Sequence, residues 1–171
     1  MRIGVDLVSV DRIIRAVARY GERFLDRIFT PEEKSLCSGD AGRLAGRFAA
    51  KEAVSKALGT GLWRSGVVFH DIEILRGQNG EPIAKLHGAA RRHFESIGGI
   101  ACHVSISHEK EMACAFCVME TIPPKGEADE EDVAASSFSI HSNCPTSKED
   151  QRQVVSCDPL AFADIQGADE T

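Results

Sequence analysis

The sequence predicts an α+β fold in which a small antiparallel β-sheet packs against helices. Two observations carry this. Helix start and stop signals crowd the first 60 residues, whereas the stretch up to residue 120 holds two pairs of apolar, β-rich runs, each pair joined by a short turn-forming segment. Beyond that point the apolar periodicity stops, so a domain over 1–120 and a tail over 121–171 are expected.

Ile3–Val8 reads as a strand carrying Asp6, followed by a helix from about Val10 with Ser9 or Asp11 available as its cap. Gly21 interrupts that helix before Glu22–Phe29. Thr30-Pro31-Glu32-Glu33 has the form of a capping box with proline at the first helical position. A long helix is expected over Ala41–Leu58, stopped by Gly59 in the left-handed position that glycine tolerates best. Phe69–Leu75 and Ile83–His87 then flank Gly77-Gln78-Asn79-Gly80 as a hairpin with an Asn-Gly turn. A helix near Ala89–Ile97 ends at Gly98-Gly99. A second hairpin pairs Ala101–Ser107 with Met112–Met119.

The 171 residues carry 20 Lys and Arg against 26 Asp and Glu, a net charge of −6. That figure is unevenly distributed. Residues 121–171 hold 3 basic and 11 acidic side chains, leaving 17 basic and 15 acidic in 1–120. A tail so polar and acidic buries too little to offset the entropy of ordering and is expected to stay disordered. No run of eighteen apolar residues is present, so no membrane span is expected. The opening Met1-Arg2-Ile3-Gly4-Val5-Asp6 places an acid where a secretory signal requires an apolar stretch, and a cytoplasmic location with reduced cysteines follows. Tyr20 and Trp63 are isolated, with no aromatic series for stacking nucleic-acid bases.

Within the long helix, Phe48, Glu52, Ser55, Lys56 and Gly59 fall on one face at about 100° per residue. An acid, a hydroxyl and an amine beside a Gly-Thr-Gly exit suit a phosphate held with a divalent metal. The same spacing also describes a solvated Glu52–Lys56 pair four residues apart. Arg12, Arg15, Arg19, Arg23 and Arg27 recur at helical intervals opposite Ile13, Val17, Phe24 and Ile28. Such a row is either a solvated face or a docking surface for an acidic partner. His103 and His108 differ in strand parity and so face opposite ways, as do Cys114 and Cys117, which reads as two small buried hydrophobes.

The phrase Arg47-Phe48-Ala49-Ala50-Lys51-Glu52-Ala53-Val54-Ser55-Lys56-Ala57 closely resembles the signature of the 4′-phosphopantetheinyl transferases in their short, single-body form. Ile3–Val8 with Asp11-Arg12-Ile13, Asp71–Ile74 with Asn79–Pro82, and His103–His108 match that family in order and spacing, over about residues 1–120. The resemblance implies transfer of the phosphopantetheine arm of coenzyme A to a serine of apo acyl carrier protein, in support of fatty acid biosynthesis. It implies magnesium held by Asp6 and Glu52, with Lys56 steadying the pyrophosphate; the general base is either Glu52 or a metal-held water. Arg47, Lys51, Ser55, Gly59, Thr60 and His108 are implied as coenzyme A contacts, with Arg47 and His108 at the 3′-phosphate. The five arginines become the carrier-docking row, and a homotrimer with sites at subunit interfaces is expected. The alternative is a catalytically silent module that binds coenzyme A or the carrier.

Overall fold

Gly4 sets how closely the two main layers approach. It lies in β1 (Arg2–Ser9), and a Cβ there would sit 1.9 Å from the carbonyl oxygen of Ala53 in α4 (Ala41–Leu58). Only a residue without a side chain lets strand and helix pack at that distance. α4 presents small residues to the sheet: Ala49, Ala50, Ala53 and Ala57 are all buried, and Gly46 backs against Ile106. Opposite them, Val8, Ala113, Ala115, Cys117 and Met119 form the buried face of the sheet.

The computed structural model describes residues 1–122. After β1 come α1 (Val10–Tyr20), α2 (Glu22–Ile28), α3 (Pro31–Cys37) and α4; β2 (Ile72–Arg76) and β3 (Pro82–Leu86) follow, then α5 (Gly88–Ser96), β4 (Gly99–His108) and β5 (Met112–Thr121). β1, β5 and β4 form an antiparallel sheet in that order, and β2 and β3 form a separate two-stranded ribbon. The expected α+β architecture with antiparallel pairing is therefore present. Apart from Thr121 and Ile122, the acidic segment lies outside the described residues, as do Cys144 and Cys157.

Local signals account for most boundaries. Thr30 and Glu33 form both halves of the capping box: the Glu33 N–H donates to Thr30 Oγ1 (3.2 Å) and the Thr30 N–H to Glu33 Oε2 (2.9 Å). Asp40 caps α4 by accepting from the Arg43 N–H at 2.8 Å, and Gly59 ends it with φ 82°. At α1 the Ser9 hydroxyl makes no capping bond; the Val10 N–H is taken instead by the Glu111 carbonyl at 2.8 Å. The β2–β3 turn is closed by Gly77 N–H to Glu81 O (2.8 Å) and Gly80 N–H to Gly77 O (3.1 Å), with Gly80 at φ 92°.

One strand boundary departs from expectation. Phe69–Asp71 is a 3₁₀ turn, and β2 begins only at Ile72. The Asp71 carboxylate accepts from the Val68 N–H (3.2 Å), and the Phe69 carbonyl is taken by Lys51 Nζ (3.0 Å), so this segment spends its polar groups on turns rather than on a ladder.

Glu73 ties the ribbon to α3. Its carboxylate accepts from Thr30 Oγ1 (2.8 Å) and pairs with His87 (3.1 Å). Burial pushes this carboxyl upward, but Thr30, His87 and Lys85 together hold it below its ordinary value of 4.5. A depressed carboxylate stabilises the fold above the ordinary value and loses that contribution as pH falls through the folded value. Glu73→Gln is therefore expected to lower the melting temperature at pH 7, with the gap from wild type closing below pH 4.5. Thermal denaturation across that range measures it.

Candidate active site

Asp6 and Lys56 meet where β1 crosses α4. Along β1, Arg2 donates to the carbonyls of Ala57 (2.8 Å) and Leu58 (3.0 Å), and Gly4 touches Ala53, so the strand runs back along the helix. Asp6, two residues on and on the same strand face, thereby arrives beside the turn bearing Glu52 and Lys56. Lys56 Nζ donates to Asp6 Oδ1 (2.8 Å) and to the Val5 carbonyl (3.0 Å). The Asp6 side chain is only 13% exposed, and burial holds its carboxyl above the usual range against the pull of the Lys56 ammonium. Glu52 is 5% exposed and engaged within the protein, its Oε1 among the buried oxygens that accept no hydrogen bond within the described residues. The solvated-pair reading of Glu52 and Lys56 does not hold, since Lys56 reaches across to the strand and Glu52 is buried.

A second polar feature opens elsewhere on α4. A cleft of about 310 Å³ is lined by Arg43, Gly46, Arg47, Arg76, Gly80, Pro82, Ile106 and His108, among others. Three guanidinium groups and an imidazole converging on one cleft suit a doubly charged phosphate, and the volume admits a nucleotide. Arg47 is held at its rim by a 3.1 Å bond from Nε to the Ile74 carbonyl. Arg43 and Arg76 were not anticipated. Arg43 carried a readable signal, standing one helical turn before Arg47, whereas Arg76 is delivered by the ribbon and has no local signature.

Two expected nucleotide contacts are corrected. Lys51 is fully buried, donating to the carbonyls of Ile28 (2.9 Å) and Phe69 (3.0 Å) and paired with Glu33 at 2.7 Å. Burial pushes its ammonium below the ordinary value while Glu33 opposes that fall. Ser55 is also fully buried, and its hydroxyl donates to the Glu52 carbonyl one turn back (2.8 Å). Neither reaches solvent, so neither is placed to touch a ligand. Gly59 and Thr60 lie at the exit of α4; the Thr60 hydroxyl is buried with no hydrogen-bond partner within the described residues.

The arginine row is divided. α1 stops at Tyr20, and Gly21 turns the chain with φ 57° before α2 starts. Arg15 and Arg19 are exposed on α1 and Arg23 on α2, but Arg12 is half-buried and Arg27 stacks over the Trp63 ring at 5.0 Å. Arg15 also meets Asp11 at 3.1 Å, an exposed pair of small energetic weight. His103 faces outward and pairs with Glu120 (3.1 Å), while His108 lines the cleft. Cys117 faces inward, where its sulfur lies 3.7 Å from that of Cys102 across the β4–β5 ladder, and Cys114 takes the opposite face.

A lysine–carboxylate contact and an arginine-lined cleft on one helix suit a protein that handles phosphate-bearing ligands. The family model described as the 4′-phosphopantetheinyl transferase superfamily matches residues 2–117, and the chain belongs to that family. Among curated relatives, the holo-[acyl-carrier-protein] synthase of Solidesulfovibrio magneticus is 49% identical over 119 residues, covering 69% of this chain and 96% of that protein. That of Koribacter versatilis is 44% identical over 120 residues, covering 68% and 95%. Among solved structures, the Helicobacter pylori holo-[acyl-carrier-protein] synthase in complex with coenzyme A superposes with a TM-score of 0.64 at 35% identity, covering 69% of this chain and 99% of that one. The Neisseria meningitidis synthase gives 0.65 at 40% identity, covering 70% and 98%.

Proposed function

We propose that this chain transfers the 4′-phosphopantetheine group of coenzyme A to a serine of apo acyl carrier protein. The observation that carries the reading is the Asp6–Lys56 contact beside buried Glu52, on the helix whose other side forms the arginine cleft. In the reaction the serine oxygen bonds to the β-phosphorus, the bond from that phosphorus to the bridging oxygen breaks, and adenosine 3′,5′-bisphosphate departs with the electron pair. The serine proton passes to a base, for which Glu52 is the candidate side chain. Phosphoryl transfer of this kind depends on alignment and charge neutralisation. Lys56 supplies a cation at the pyrophosphate, and Arg43, Arg47, Arg76 and His108 hold the 3′-phosphate.

Asp6 and Glu52 are suited to hold magnesium. Both are hard oxygen donors, and Asp6 is desolvated with one lysine as its main compensation, a setting that favours a further cation. No group of three or more such ligands occurs among the described residues, so water and substrate phosphate would have to complete the shell of an ion held there. Bound there, magnesium would neutralise pyrophosphate charge and orient it for attack.

Helix geometry sets the two polar features apart within a single chain. Arg47 and Lys56 are nine residues apart, which sets them half a turn out of phase and roughly 13 Å apart along α4. The 3′-phosphate and pyrophosphate, by contrast, hang from the same ribose. A site shared between copies resolves this, and the outer face of the three-stranded sheet supplies a surface for assembly: Ile3, Val5, Leu7 and Phe116 are all exposed there. The homotrimer implied by the sequence resemblance is the assembly proposed. Arg15, Arg19 and Arg23 remain the docking surface for the acidic carrier, and the cytoplasm remains the proposed location. Among the described residues no helix is long and apolar enough to cross a membrane.

The reading is tested by incubating apo acyl carrier protein with coenzyme A, magnesium and this protein, then weighing the carrier by mass spectrometry. A mass gain of one phosphopantetheine is expected. Retention of coenzyme A or carrier with no gain on any carrier would establish the silent binding module instead.

A further inference from the structure

We propose that Glu33 is a positioning residue for the coenzyme A cleft, acting on Arg47 through the backbone of Ile74; this rests on the reading that Arg47 meets the coenzyme's phosphate. Among the described residues β2 pairs only with β3, so the polar groups of its other edge find partners outside the ribbon. At Ile74 side chains take both. Its N–H donates to Glu33 Oε1 at 2.8 Å, and its carbonyl accepts from Arg47 Nε at 3.1 Å. A single residue of the edge is therefore held from one side by the carboxylate and itself holds the arginine.

The carboxylate is unusually well fixed. Glu33 is fully buried, and its Oε2 receives the Thr30 N–H (2.9 Å) and Lys51 Nζ (2.7 Å). Lys51 is anchored in turn on the carbonyls of Ile28 and Phe69. The buried ion pair thus locks the end of α2, the start of α3 and the turn before β2 around Ile74. Anchoring Arg47 through Nε sets the plane of its guanidinium, the property that matters for a fork-like phosphate contact. Glu33 itself does not line the cleft. Its influence falls on how Arg47 is presented, and so on coenzyme A affinity rather than on carrier recognition or the transfer step. It also gives Lys51 a role distinct from the ligand contact expected of it.

The test uses steady-state kinetics on the full chain with separately varied coenzyme A and apo carrier. Glu33→Gln places an amide nitrogen where an acceptor is needed, and a misdirected arginine should raise the KM for coenzyme A roughly tenfold. The carrier KM and kcat should stay within about twofold of wild type. Combined with Arg47→Ala, Glu33→Gln should add little, because both act through the same contact. Multiplying effects in the double variant, or an equal fall in kcat, would overturn the proposal by showing a general structural role. An unchanged KM in Arg47→Ala alone would instead remove the cleft reading on which it rests. Should Glu33→Gln not fold, hydrogen exchange on the wild-type protein decides: adenosine 3′,5′-bisphosphate should slow exchange of the Ile74 amide several-fold. Unchanged exchange there, with protection elsewhere in the cleft proving occupancy, would refute the coupling.

Discussion

Replacing Lys56 with alanine is expected to reduce kcat for phosphopantetheine transfer by about 100-fold or more, the loss typical when one preorganised donor to a developing anion is removed. The ammonium does two things that an alanine cannot. It brings positive charge to the place where the departing phosphate gains negative charge, and it compensates Asp6, whose carboxyl is already raised by burial. Folding should survive, because the Lys56 side chain is 33% exposed and its loss leaves the core intact. Adenosine 3′,5′-bisphosphate should bind more weakly but still bind, since Arg47 and His108 are untouched and still meet its 3′-phosphate. Rapid-quench kinetics with circular dichroism as a control separates these effects; transfer at near wild-type rate would remove Lys56 from the mechanism. Glu52→Gln completes the argument, as it should both slow transfer and raise the magnesium concentration needed. A full rate at unchanged magnesium would refute the metal assignment.

What could be read from the sequence divides along physical lines. The C-terminal end of α4 was legible because Gly59 acts locally, and so were the α3 capping box and the two hairpins. Asp6, Glu52 and Lys56 were expected as a set through resemblance; the crossing of β1 over α4 brings Asp6 onto Lys56, and Glu52 is buried. Lys51 was misread for a definite reason. A helix wrapped by neighbours on most sides hides which face is solvent, and a lysine among alanines there gives no sign that a glutamate eighteen residues earlier will meet it. The same applies to Phe69, whose β-forming neighbourhood was overruled by a tertiary bond from Lys51 to its carbonyl. Arg76 belongs to the cleft only because the ribbon folds back on α4, a relation no local pattern encodes. The arginine row was read from spacing alone, and Gly21 is where helical periodicity ceased to be a guide.

Mixing two inactive variants is expected to restore activity, and this is the sharpest consequence of the opposed faces of α4. Lys56→Ala removes the cation beside Asp6, and an Arg47→Ala/His108→Ala variant empties the cleft of two of its positive groups. If each site takes its acid-and-amine half from one copy and its cleft from a neighbour, co-expressed chains assemble some sites with both halves intact. Random closed assembly from equal amounts predicts that about one quarter of sites are whole, hence about a quarter of wild-type activity. Sites confined within single chains would contain one defect each, and the mixture would stay as inactive as its parts. Phe116→Asp supplies the complementary case. A charge on the exposed apolar sheet face should dissociate the assembly, read by sedimentation, and abolish transfer although every polar residue of both halves is retained. Recovery in the mixture together with loss in the dissociated variant would mean that the distance along α4 is bridged by a second copy. The Asp6–Lys56 pair and the arginine cleft would then be halves of two different sites on each chain.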